Sequence, residues 1–113
     1  MMGMFSPFGK RRMERQVTRL AGEVARRSRE TVWGRVHHRI GPMSLAEARG
    51  YIRARAGEIV VSEAKAALQR NSNVPVVYRE RLINEATELV IQFVLADLLK
   101  LGQQQFTRQR RAA

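Results

Sequence analysis

The feature that most constrains this chain is the run Leu89-Val90-Ile91-Gln92-Phe93-Val94-Leu95-Ala96-Asp97-Leu98-Leu99-Lys100-Leu101, in which ten of thirteen residues are apolar. At helical spacing the apolar residues do not keep to one side. Leu82, Ala86, Leu89, Phe93 and Ala96 form one stripe, Ile83, Val90 and Val94 a second, and Ile91, Leu95 and Leu98 a third. A helix that is apolar nearly all round is buried nearly all round. The chain has only 113 residues with which to cover it, room for one domain and one modest core. The expectation is an all-α three-helix antiparallel bundle with this C-terminal helix buried in the middle. Dimerisation is expected to complete it, with Ile91, Leu95 and Leu98 as the oligomer interface and a symmetric dimer as the default closed solution.

Composition narrows the class further. A hydrophobic content of 44% argues against wholesale disorder. There are no cysteines, so disulfide staples, thiolate metal ligands and cysteine nucleophiles are excluded, which suits a reducing, cytoplasmic location. The apolar run is broken by Gln92, Asp97 and Lys100 and falls short of the ~20 residues needed to span a bilayer. Arg11-Arg12 resembles a twin-arginine export signal only superficially, because the residues that follow are amphipathic and charged.

Residues 1–9, with Pro7 and two glycines, read as an irregular arm rich in Met and Phe. Such an arm ahead of Lys10-Arg11-Arg12 has the composition to dip into an anionic membrane surface, but fraying or folding back over the core is the more common fate, and membrane contact is not expected. The helical domain spans 10–102. Its first helix covers about 10–39. Met13, Val17, Leu20 and Val24 share one face, and Arg11, Arg12, Arg15, Arg19, Arg26 and Arg29 gather opposite. Past Thr31 the phase shifts, so that Val32, Trp33, Val36 and Ile40 lie where the arginines would be. The expectation is a break near 28–34, close to Gly34, or a second half packed on a different partner. Gly41-Pro42-Met43 ends this helix, and Ser44-Leu45-Ala46-Glu47 fits a capping box opening a second helix over 44–70. That helix presents Leu45, Ala48, Ile52, Ala56, Ile59, Val60 and Ala67 on one face. Pro75 suits the first turn of a third helix over 75–101, with Gly102 as its left-handed stop. Residues 103–113 read as a basic mobile tail.

The net charge of +11, with pI ≈ 11.6, attracts polyanions: nucleic acid, anionic lipid or an acidic protein. Its distribution says more than its size. Residues 1–43 carry a net +7, residues 44–74 +2, residues 75–101 −1 and residues 102–113 +3. A neutral central helix with basic attachments is the pattern of a polyanion binder, set against solvated arginines that only keep a helical core soluble. Arg outnumbers Lys 18 to 3, which fits phosphate recognition by guanidinium forks and equally fits a GC-rich coding sequence.

Enzymatic constellations are missing. His37 and His38 are adjacent, so on a helix their side chains diverge by about 100° and cannot chelate one ion. No phosphate loop, dinucleotide fingerprint or nucleophile elbow occurs. Glu85 and Glu88 read as a solvated face, and Trp33 as a contact anchor more than a base-stacking platform. No catalytic residue, metal or cofactor is expected. The reading is a small basic helical protein that binds nucleic acid non-specifically, with Arg11, Arg12, Arg15, Arg19, Arg26, Arg108, Arg110 and Arg111 contacting phosphates. The alternative is a structural or adaptor protein acting through helix-mediated contacts, with an acidic protein as a possible partner.

Overall fold

The computed structural model describes the backbone of residues 7–112 and the side chains of residues 9–104. It consists of α1 (Pro7–Ile40), α2 (Leu45–Arg70) and α3 (Arg79–Ala112), with a 3-10 turn at Val76–Tyr78 leading into α3. Helix α1 and helix α3 run parallel. Glu14 meets Arg81, Thr18 meets Glu85 and Arg29 meets Asp97, a constant offset of 67 or 68 residues. Helix α2 returns between them, so that its last residue, Arg70, reaches Glu23 of α1, while Arg49 and Arg53 reach Glu88 of α3. The bundle measures 70 × 25 × 24 Å.

Helix α1 is unbroken, and the phase shift has a simple origin. Its buried residues begin at Val17, Leu20, Ala21, Val24 and Ala25, then continue strictly every fourth residue through Ser28, Val32, Val36 and Ile40. Each i+4 step advances about 40° around the axis, so four steps carry the contact stripe through most of a half-turn. The packing face winds around an intact helix. Ser28 sits where the winding begins, and its buried hydroxyl donates to the Val24 carbonyl at 2.8 Å, so no polar atom is stranded there.

Helix α2 opens on the expected capping box. Ser44 is extended (φ −64, ψ 162), its Oγ accepts from the Glu47 amide at 3.2 Å, and the Ser44 amide donates to Glu47 Oε1 at 3.3 Å. The buried face is Ala48, Ile52, Ala56, Val60, Ala64 and Ala67, and its four alanines let the neighbouring helices approach. Leu45, expected on that face, is 66% exposed because it occupies the first helical position, ahead of the packed stretch.

Helix α3 departs from expectation at both ends. It begins at Arg79, since the chain first makes the 3-10 turn after Pro75. It runs through Gly102 to Ala112, because Gly102 is helical and no described glycine has a positive φ. The glutamines and arginines that follow are good helix formers. Nor is α3 buried all round. Leu82, Ala86, Val90, Ile91 and Val94 are sealed, Leu89, Phe93, Leu95 and Leu98 are half-buried on the flanks, and Leu99 is 69% exposed. In a triangle of three helices each packs on both others and each keeps an outward face. Ile91, expected at an oligomer interface, is therefore consumed inside the protomer, and the apolar surface left on α3 includes Leu95, Leu98, Leu99 and Leu101.

Candidate polyanion interface

Two sets of arginines stand out among the described basic residues. Acidic partners neutralise the first. Arg29 grips Asp97 in a two-pronged contact, with Nε to Oδ2 at 2.9 Å and Nη2 to Oδ1, and its guanidinium carbon lies 5.0 Å from the Phe93 ring centre. The Arg29 hydrogen bonds hold the Asp97 carboxyl below its usual range. Arg27 and Arg70 share Glu23, Arg49 and Arg53 share Glu88, and Arg81 is held by Glu14 and Glu85. These pairs tie each helix to both of the others. Arg29, which the helical periodicity puts with the ridge, belongs here, because by this turn the winding stripe has brought its side of α1 against α3.

The second group has no acidic partner among the described residues. Arg11, Arg12, Arg15, Arg19 and Arg26 are all exposed along α1. They occupy the side of the helix away from Val17, Leu20 and Val24, which packing fixes inward. From Arg11 to Arg26 is fifteen residues, about 22 Å of helix. Arg12, Arg15, Gln16 and Arg19 line an open hollow of about 440 Å³, at whose edge Gln16 exchanges hydrogen bonds with Asn73 of the α2–α3 connection. A second hollow of about 360 Å³ is lined by Arg11, Glu14, Arg15, Thr18 and Arg81. The ridge thus includes concave, cation-lined surface at the end of the bundle where α2 has stopped. Arg26 lies back along the helix, its Nη1 3.2 Å from where a Cβ on Gly22 would be. Gly22, one turn earlier and without a side chain, is what lets that guanidinium fold toward Arg19, and the sequence reading overlooked it.

The basic tail is not beside this ridge. The side chains of Arg108, Arg110 and Arg111 lie outside the described residues, but their backbone continues α3. With the 67-residue offset, their positions are level with the end of α1, about 40 Å along the bundle from Arg15. Trp33 lies toward that far end, stacked on His37 (centroids 5.4 Å apart, 22° between planes) and partly packed on the core. One ring face is therefore occupied within its own helix. No cluster of three metal-ligating side chains exists among the described residues, and no helix there is long and apolar enough to cross a membrane. Comparisons with protein-family models, curated proteins and solved structures find no match.

Proposed function

We propose that this protein binds nucleic acid non-specifically, through phosphate contacts made by Arg11, Arg12, Arg15, Arg19 and Arg26 of α1. One observation carries the reading. The chain uses Glu14, Glu23, Glu85, Glu88 and Asp97 to pair arginines elsewhere, and of the arginines without an ion pair among the described residues five share one face of α1. Such a row costs self-repulsion that a solubility role would not require in so concentrated a form, and guanidinium forks suit phosphate oxygens. Triple reversal of Arg12, Arg15 and Arg19 to Glu tests it by gel shift on duplex DNA and RNA. Helical circular dichroism should survive, because these side chains are exposed, while binding at 50 mM salt is lost. Retained binding would remove the ridge from the interface.

The expected dimer has one specific support, the apolar strip of Leu95, Leu98 and Leu99 on α3. We take its occupant to be a second copy of this chain. Residues 75–101 carry a net −1, so this is where two strongly basic chains can meet without opposing like charges. The dimer then presents two ridges to one polyanion.

A further inference from the structure

The connection between α2 and α3 carries the two most exposed large apolar side chains described, Val76 (82%) and Val77 (80%). Nothing in phosphate binding calls for them. They stand side by side in the 3-10 turn, held out by Pro75 and by the Tyr78 amide bonding to the Pro75 carbonyl at 3.0 Å. Core packing does not explain them either, since the buried member of this connection is Val74. The offset that pairs Glu14 with Arg81 places this turn level with the start of α1. Lys10, Arg11 and Arg12 are thus at the same end of the bundle, together with Arg79, and all four are exposed without an ion-pair partner among the described residues. Glu80 is the acid nearest in the chain, and it lines the open hollow formed with Val76, Val77, Arg79 and Ile83. The end of the bundle is therefore a pair of protruding aliphatic side chains set among an excess of cations.

We infer that this end docks on an anionic lipid surface, with Val76 and Val77 entering the headgroup–acyl boundary and Lys10, Arg11, Arg12 and Arg79 contacting lipid phosphates. The contact is peripheral: the bundle, at 70 Å by about 25 Å, stands end-on and no helix enters the bilayer. Two signals operate together. The cations are drawn to an anionic surface and the valines gain by leaving water, and neither gives stable attachment alone. A nucleic acid is the less suitable occupant of the tip, because it offers no apolar phase for adjacent valines. A protein groove would accept the valines but would not by itself account for the surrounding cations.

Flotation of the whole chain with two vesicle compositions tests the inference, one purely phosphatidylcholine and one with a third phosphatidylglycerol. The wild type should float with the anionic vesicles and not with the zwitterionic ones. Val76→Ser/Val77→Ser should lower partitioning at least tenfold while leaving circular dichroism and duplex-DNA binding unchanged, which separates the apolar half of this site from the ridge, with which it shares Arg11 and Arg12. Wild-type protein that ignores anionic vesicles overturns the inference, as does a double variant that floats like the wild type. If removal of residues 1–6 abolishes flotation while the valine variant retains it, the contact lies in the arm and the tip is not the site. If the valine variant instead weakens duplex binding, the tip belongs to the nucleic-acid surface.

Discussion

At the scale of single residues, the decisive distinction is between arginines that hold the fold and arginines that are free to act. Arg29 represents the first kind. Its fork on Asp97 bridges α1 and α3, with the Phe93 ring beneath. Because Arg29 lowers the Asp97 pKa, the pair contributes stability that is complete above the unfolded carboxylate value, near 3.9, and is lost as pH falls through the lower folded value. Thermal melts from pH 6 downward should therefore show wild-type stability falling below about pH 4 more steeply than that of Asp97→Asn, which also loses about 1 kcal/mol at pH 7. Parallel profiles would mean that the fork contributes nothing. Ser28 makes the opposite point. Its hydroxyl is buried but serves only the Val24 carbonyl, already the acceptor of a helical bond. Ser28→Ala should be neutral or stabilising, within about 0.5 kcal/mol by urea titration. A loss of several kcal/mol would show that the winding of α1 depends on that hydroxyl.

At the scale of elements, the capping box and the open glycines allow direct tests. Ser44→Ala removes the side-chain acceptor from the Glu47 amide and should cost about 1 kcal/mol. Gly50 has nothing within 4 Å of a built Cβ and is exposed in the interior of α2. Gly50→Ala should add roughly 0.5–1 kcal/mol through helix propensity and reduced freedom of the unfolded chain. A melting temperature unchanged by either substitution would contradict the boundaries and packing of α2. These features were legible because they are local: a cap is four residues long, and a glycine's effect on a helix needs no knowledge of its neighbours. The all-helical class, the three helices and the start of α2 are readable for the same reason. The choice between a break in α1 and a second half packed on a different partner, and the end of α3, both need tertiary information. A change of apolar phase signals a kink or a winding stripe equally well until the partner helices are placed. A glycine signals a stop only if its φ turns positive, and that of Gly102 does not. The ridge was legible from angle alone for Arg11, Arg12, Arg15, Arg19 and Arg26. The reassignment of Arg29 and the burial of Ile91 follow from which helix lies alongside, and periodicity does not contain that.

At the scale of the whole molecule, shape separates what charge alone joins. The C-terminal arginine positions lie about 40 Å along the bundle from Arg15 but only about 22 Å from Arg26, so a polyanion must be long to meet the tail and Arg15 together. At 3.4 Å per base pair this is about 12 base pairs. Removing residues 105–113 should weaken binding to a 20-base-pair duplex severalfold and binding to an 8-base-pair duplex, which cannot reach from Arg15 to the tail, much less. Equal losses on both would place the tail next to the ridge. Assembly belongs to the same scale. Leu99→Glu should reduce the mass in light scattering toward the 12.9 kDa chain without loss of helix, since Leu99 is exposed in the monomer. Ile91→Glu should instead unfold the chain, because it buries an unpaired charge. A wild type that is monomeric at high micromolar concentration would remove the second copy from α3.

The central claim is that unpaired arginines on α1 neutralise phosphates, and the salt dependence of duplex affinity tests it most directly. Each neutralised phosphate contributes about −0.9 to the slope of log affinity against log salt. Five ridge arginines therefore predict a slope of about −4.5 and roughly several-hundredfold weaker binding at 200 mM than at 50 mM salt. Replacing Arg12, Arg15 and Arg19 with Gln should make the slope shallower by about 2.7 with helix content unchanged. A wild type that binds no duplex at 50 mM salt, or a triple variant with the wild-type slope, would contradict the account.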